Sequence, residues 1–394
     1  MSALAQDLRS RVLEQRMRYL DGGLVLAALG LLLLGLIMVA SASVAVAERH
    51  TGETFYYFYR QLAFAAAGLG FGAALFNVPM RWWEKSGFFL LVLALLLLAL
   101  VFLPGIGREV NGARRWIDLG PVNLQASEVA RLLLLMYLAS YAVRRNEEIR
   151  TRLRGLLKPG LPLGLACALM LLEPDYGAAV ILLAVSLILL FMAGARLPHL
   201  GLLLVAMAAG AAALAVTSPY RLKRLVSFTN PWEHPFESGF QLTQSLIAIG
   251  RGEWTGVGLG NSVQKLLYLP ETHTDFLFAV LAEELGLLGG LTVMLLFGLL
   301  VWRGFAIAGR ALQNGQAFSA YLAYALASWV GLQAYVNIAV NMGLLPTKGL
   351  TLPLMSYGGS SLIVMLAVVA ILMRIDFEAR QAALDPPKPK RERV

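Results

Sequence analysis

Residues 23–40 read GLVLAALGLLLLGLIMVA, a run without a single charged side chain. Crossing the hydrocarbon core of a bilayer takes about 20 consecutive apolar residues in a helix. The run is too long for a signal-peptide core, and no small-residue cleavage site is cleanly placed after it. It therefore reads as a retained signal-anchor helix. The rest of the 394-residue chain has the same character: 58% of it is hydrophobic and 14% is charged, with a mean hydropathy of +0.68. A soluble chain carries about 25% charge, so lipid is the solvent here.

Comparable runs fall near 22–45, 61–79, 87–104, 125–143, 161–173, 176–195, 198–217, 276–301, 317–343 and 358–374. They predict an all-α integral membrane protein of about ten transmembrane helices, with a long external segment between spans 7 and 8. The fifth run is short and ends in Glu173-Pro174-Asp175, which predicts a helix stopping early in a protein-lined recess, where open backbone is tolerated. Residues 1–20 alternate apolar and basic positions at helical spacing and read as a cytoplasmic amphipathic segment. Residues 21–375 form the polytopic domain, and the charged, Pro-rich stretch 376–394 reads as a disordered cytoplasmic tail.

Lys and Arg set the orientation. With the N-terminus inside, 21 of the 33 basic residues fall on the cytoplasmic side, 11 on the other, and Arg131 within a span. Both termini are therefore expected inside. A net charge of +9 reports orientation first, so nucleic acid is not an expected partner. Cys167 is the single cysteine and excludes an intramolecular disulfide, while His50, His199, His234 and His273 show no zinc spacing.

Nine external basic residues run against the inside trend: Arg108, Arg114, Arg115, Arg221, Lys223, Arg224, Arg251, Lys265 and Lys348. Ionisable groups in or at the edge of a span are costly, about 2.5–3.5 kcal/mol each at a span centre, and default to functional candidates. Four places qualify. Asp275 in Glu271-Thr-His273-Thr-Asp275 stands at the start of span eight, where apolar neighbours would desolvate it. An aspartate there is also a favoured helix cap, with Thr274 competing for that role, and both readings stand. Glu283 and Glu284 follow in the same helix. Glu128 and Arg131, at i and i+3 in span four, either neutralise each other or serve a site, and Arg114-Arg115 just before them suit phosphate oxygens. Glu173 and Asp175 flank a broken span. Pro346-Thr-Lys348-Gly-Leu-Thr-Leu-Pro353, followed by Ser356-Tyr-Gly-Gly-Ser-Ser361, cannot form a continuous helix and should line a cavity. Gly256-Val-Gly258-Leu-Gly260 lacks the βαβ setting of a dinucleotide loop.

Asn261-Ser-Val-Gln-Lys265, Leu269-Pro-Glu-Thr-His-Thr-Asp-Phe276, Glu283-Glu284-Leu-Gly286 and the Pro346–Ser361 blocks resemble the SEDS family (shape, elongation, division and sporulation). The resemblance covers roughly 20–375 and is nearest to the family's division-type members. One departure is Gln125-Ala126-Ser127-Glu128, where the family's usual second residue is proline; Glu128 stays in place. The resemblance implies a peptidoglycan glycosyltransferase that polymerises lipid II at the outer face of the bacterial inner membrane, at the division septum. It implies a class B penicillin-binding transpeptidase and other divisome membrane proteins as partners. It also implies Asp275 as the catalytic residue. The substrate-binding groups expected beside it are Arg114, Arg115, Glu128, Arg131, Glu173, Asp175, Arg251, His273, Lys348 and Ser356. A divalent cation, Mg or Mn, is an alternative to the external cations for stabilising the pyrophosphate. No organic cofactor is expected, and no metal ligands are assigned. A lipid II flippase and a non-catalytic division scaffold are the competing classes. The glycines between 239 and 260 are expected to make the external segment mobile.

Overall fold

The computed structural model describes residues 20–110, 113–118, 120, 123–216, 228, 230–233, 235, 237, 239–347 and 349–384. A helix stands on each of the ten apolar runs: α1 (Gly22–Ala42), α2 (Tyr56–Phe76), α3 (Gly87–Leu100), α4 (Ala126–Arg144), α5 (Arg154–Leu172), α6 (Tyr176–Met192), α7 (Leu197–Val216), α9 (Leu277–Gln313), α10 (Ala317–Asn341) and α11 (Gly359–Leu384). A shorter helix, α8 (Phe240–Gly252), lies between the seventh and eighth. Among the described residues, six of these (α1, α4, α5, α9, α10 and α11) are long and apolar enough to cross a membrane. The segments 1–19 and 385–394 lie outside the described residues.

The centre of the bundle is α4, α10 and α11, ringed by α1, α2, α3, α5, α6 and α9. A lipid-facing helix must be apolar on its outer side, whereas an enclosed one can carry polar groups that satisfy one another. Accordingly Ser127, Glu128 and Arg131 of α4 and Gln333, Asn337 and Asn341 of α10 are all buried. With no hydrophobic drive between helices in lipid, close backbone approach supplies the packing. A Cβ at Gly68 of α2 would lie 2.6 Å from the Leu366 side chain of α11, and one at Gly72 would lie 3.2 Å from Ala370.

Two expectations change in the helical layer. The fifth span is a full 19-residue helix that begins at Arg154, with Pro159 and Pro162 inside it. Pro159 cannot donate to the Gly155 carbonyl, and the Tyr141 hydroxyl of α4 donates to it instead, at 2.9 Å. The tail expected to be disordered from 376 is helical to Leu384, with Asp376 and Ala379 buried. The reason is a polar cluster. Asp376 accepts from Arg310 and Arg380, while Asp21 accepts from Arg303, Arg310 and Arg380. This cluster ties α1, α9 and α11 together at the end of the bundle opposite Asp275.

Between α3 and α4 the chain forms a small antiparallel sheet in the order β1 (Gly107–Val110), β2 (Ala113–Asp118), β3 (Asn123–Gln125). Its alternation turns Arg114 outward, exposed, and Arg115 inward, half-buried between the buried Ala113 and Ile117.

The eighth span is broken. Gly286 has φ 66° and ψ −164° inside α9, which separates a buried half-helix, 277–285, from the long remainder. A break frees backbone groups that must find partners. The amides of Val257 and Gly258 donate to the carbonyls of Glu283 and Glu284, and the amides of Leu287 and Leu288 donate to those of Glu253 and Trp254. The approach is so close that a Cβ at Gly256 would lie 2.1 Å from the Glu284 oxygen. Gly252 and Gly256 therefore let the 252–262 loop pack directly against the half-helix before the break.

Candidate active site

Asp275 stands two residues before α9, one position ahead of the cap, and it does not cap the helix. The capping position falls on Phe276, with no side-chain hydrogen bond from it. The first-turn amide of Ala279 donates instead to Asn341 Oδ1 of α10, at 3.1 Å. The backbone carbonyl of Asp275 accepts from Asn337 Nδ2 at 2.9 Å and from Asn341 Nδ2 at 3.0 Å. Among the described residues no hydrogen bond reaches its carboxylate. Burial pushes that carboxyl up to about 7, helped by the charge of nearby Glu271 and opposed by Arg115.

A polar stripe on α10 builds the wall facing it. Gln333, Asn337 and Asn341 recur at every fourth residue and share one helix face. Gln333 donates to the Thr351 carbonyl at 3.0 Å and Asn337 to the Leu350 carbonyl at 2.6 Å. The irregular 346–353 segment is thus laid along the Asp275 turn. A Cβ at Gly349 would come within 3.2 Å of Asp275 Oδ2, and one at Gly177 within 2.7 Å of Leu350. The segment therefore lies between the Asp275 turn and the Glu173–Gly177 turn.

Arg115 joins these two turns electrostatically, because its charge opposes the upward pKa shift of both Asp275 and Glu173. Its buried Nε has no hydrogen-bond partner among the described residues. Glu173 is fully buried with both oxygens unpartnered among the described residues, and burial, then the Asp175 charge, push it up to about 8. Asp175 is occupied: it accepts from Ser127 at 2.6 Å and Gln125 at 3.0 Å, and caps α6 through the Ala178 amide at 3.1 Å.

The other expected site residues divide. His273 sits at the turn, buried between Tyr57 and Tyr357 at ring separations of 4.7 and 5.5 Å, and burial pushes its imidazole down. Ser356 is used in its own turn, accepting from the Leu352 amide at 2.9 Å. Glu128 and Arg131 pair at 2.6 Å with both side chains buried, and Arg131 lies 4.8 Å from the Trp329 ring centre. They form the internal ion pair that their spacing allows. Arg114 faces away from Arg115. Arg251 pairs at 3.1 Å with the fully buried Glu283, so its guanidinium fastens the loop rather than facing the Asp275 turn. Lys265, also expected as an external cation, is held at 2.9 Å by Glu284, which Ser41 of α1 also meets at 2.7 Å. Lys348 lies outside the described residues.

Asn337 and Asn341 are the residues at the Asp275 turn that sequence reasoning passed over. Their signal was present: three amides spaced four apart in an otherwise apolar run are costly in lipid unless they meet partners.

The family model of the FtsW/RodA/SpoVE cell cycle proteins matches residues 23–381. The chain belongs to this family. Within it, a protein of Thioalkalivibrio sulfidiphilus named "Probable peptidoglycan glycosyltransferase FtsW" is 54% identical over 95% of this chain and 92% of its own length. Its namesake in Alkalilimnicola ehrlichii is 55% identical over 94% and 93%. Two solved family structures share the fold. One, described under structural coordination of polymerization and crosslinking by a peptidoglycan synthase complex, has a TM-score of 0.76 and 31% identity, over 92% of this chain and 99% of that one. The other is the rod shape determining protein RodA of Thermus thermophilus, with a TM-score of 0.67 and 30% identity over 91% and 96%.

Proposed function

We infer that this chain is a peptidoglycan glycosyltransferase of the division type, which polymerises lipid II with Asp275 as general base. The observation that carries the reading is a carboxylate just ahead of a helix, free of hydrogen bonds among the described residues, half-buried and pushed toward neutrality. A base is most effective with its pKa near the working pH, and typically contributes about 10²–10⁴-fold. In the reaction the 4-hydroxyl of one sugar attacks C1 of the next. The C1–oxygen bond to the lipid pyrophosphate breaks, the configuration inverts, and the hydroxyl proton passes to Asp275. The pyrophosphate departs without needing a proton, so what it requires is positive charge. Arg115, half-buried on β2, supplies it, with Lys348 assigned to the same task.

A divalent cation, Mg or Mn, would meet a sparse ligand set. Among the described residues no group of three His, Cys, Asp or Glu is gathered to hold an ion. A magnesium-like ion is commonly held by one or two carboxylates plus substrate phosphates. The unpartnered Glu173 could contribute to such a site, and the ion would add charge opposite the leaving group.

The active end of the bundle faces outward, with both termini in the cytoplasm, as the basic residues on the opposite end favour. The protein works at the division septum with a class B penicillin-binding transpeptidase. The one Ser-x-x-Lys pattern, Ser262–Lys265, is committed elsewhere: the Ser262 hydroxyl donates to Glu283, Lys265 pairs with Glu284, and no Ser-Asp-Asn or Lys-Thr-Gly sequence accompanies it, so cross-linking falls to that second chain. The relative in a synthase complex for polymerization and crosslinking supports this partnership.

Asp275→Asn, purified with its partner and given lipid II, tests the assignment. Glycan synthesis should fall by at least about 10²-fold, with the protein still folded. Near-normal polymer would return Asp275 to a structural role.

A further inference from the structure

We propose that Asn341, assisted by Asn337, is a positioning residue for the reaction: it caps α9 from another helix so that the Asp275 carboxylate stays free. The proposal rests on the reading of Asp275 as the base.

An aspartate just ahead of an apolar helix ordinarily gives its carboxylate to a first-turn amide. Two others in this chain, each immediately before its helix where Asp275 stands one residue further back, do so. Asp21 accepts from the Leu24 amide at 3.0 Å, and Asp175 from the Ala178 amide at 3.1 Å. At α9 the acceptor is Asn341 Oδ1, brought by the fold from 62 residues further along the chain. The same side chain donates through Nδ2 to the Asp275 carbonyl at 3.0 Å and to the Asn337 carbonyl at 2.9 Å. Asn337 adds donation to the Asp275 carbonyl at 2.9 Å and to the Leu350 carbonyl at 2.6 Å.

Asn341 must accept and donate at once, which an amide can do and a carboxylate or an ammonium cannot. Both asparagines are buried, Asn341 fully, so they are set to act through Asp275 rather than on substrate. They hold its backbone from the α10 side. The carboxylate is left facing Gly349, where a Cβ would lie 3.2 Å from Oδ2.

The test compares full-length Asn341→Ala and Asn341→Asp with the wild type. Each is co-purified with the transpeptidase partner, reconstituted in vesicles and assayed on lipid II across pH. In Asn341→Ala the Ala279 amide keeps the Phe276 carbonyl at 3.1 Å and loses its side-chain acceptor, which leaves it open to the Asp275 carboxylate. kcat should fall on the order of 10²-fold, as expected for a displaced catalytic group, with KM little changed. The residual rate should keep its acid limb at lower pH than in the wild type, because amide hydrogen bonds and the helix dipole favour the ionised form. Asn341→Asp keeps the acceptor for Ala279 but brings a like charge toward Asp275, so its acid limb should move to higher pH. Opposite displacements support positioning. An unmoved limb in both variants, whether or not kcat falls, overturns it. If Asn341→Ala does not assemble, the direction of the Asn341→Asp limb decides alone. Asp275→Asn run alongside separates the two readings. Wild-type activity there removes the base and this proposal with it, whereas an inactive Asp275→Asn beside unmoved limbs removes only the role of Asn341.

Discussion

Asp21 and Asp275 both precede long apolar helices, at opposite ends of the molecule, and the structure treats them in opposite ways. Asp21 caps α1 and receives Arg303, Arg310 and Arg380. Burial alone would raise its pKa, but the hydrogen bonds from Arg303 and Leu24 and the Arg303 charge prevail and hold it at about 2. Asp275 is denied a cap and a paired cation among the described residues, and burial carries it to about 7. A buried carboxylate that is saturated with donors fastens helices. One that is kept ionisable near neutrality, with its backbone held by other residues, is available for proton transfer.

The largest break in this comparison is Asp275→Asn, which should remove about 10²–10⁴-fold of polymerisation while stabilising the fold at alkaline pH. The sign follows from the two states. Unfolded, the carboxyl ionises near 3.9; folded, near 7. Between those values the unfolded chain releases its proton first, so wild-type Asp275 costs stability as pH rises through the window. Thermal unfolding at pH 8 should find Asp275→Asn more stable, by on the order of 1–2 kcal/mol after allowance for partial exposure.

Asp21→Ala should act in reverse. Losing the cap costs about 1 kcal/mol, and losing the ion pairs adds a comparable amount once the partial exposure of the arginines is discounted. Activity per folded molecule should stay at the wild-type level. Because its folded pKa is depressed, the contribution of Asp21 is present above about pH 4 and is lost as pH falls toward 2. Detergent-solubilised unfolding curves alongside turnover would show it, and a fall in kcat without a fall in stability would count against the staple.

Arg115→Gln sharpens the comparison least abruptly. The partly buried guanidinium opposes the rise in the Asp275 pKa, so its loss should move the acid limb upward and raise the KM for lipid II by roughly tenfold, about 1.4 kcal/mol. Arg114→Gln, on the outer face of the same strand, should do much less in the same assay.

Much of this was legible in the sequence because lipid punishes polarity so heavily. The ten runs of apolar residues each became a helix, and Asp275 stood out as an ionisable group at a span edge. What was not legible needed partners distant in sequence. The cap reading of Asp275 was a fair inference from local pattern, and only Asn341, on another helix, displaces it. Arg114 and Arg115 look alike until strand register turns one outward. Arg251 and Lys265 read as free external cations until the break at Gly286 brings Glu283 and Glu284 beneath them. The tail read as disordered from composition, yet Asp376 and Arg380 join a cluster with residues from α9 and the start of α1, which composition cannot reveal.

The pH dependence of kcat/KM for lipid II polymerisation by the wild-type chain with its partner reports whether Asp275 is a base poised near neutrality. The rate should rise tenfold per pH unit below an apparent pKa of about 7 and level off above it. A rate that stays flat from about pH 5 to 8, where an ordinary aspartate is already ionised, would contradict the account.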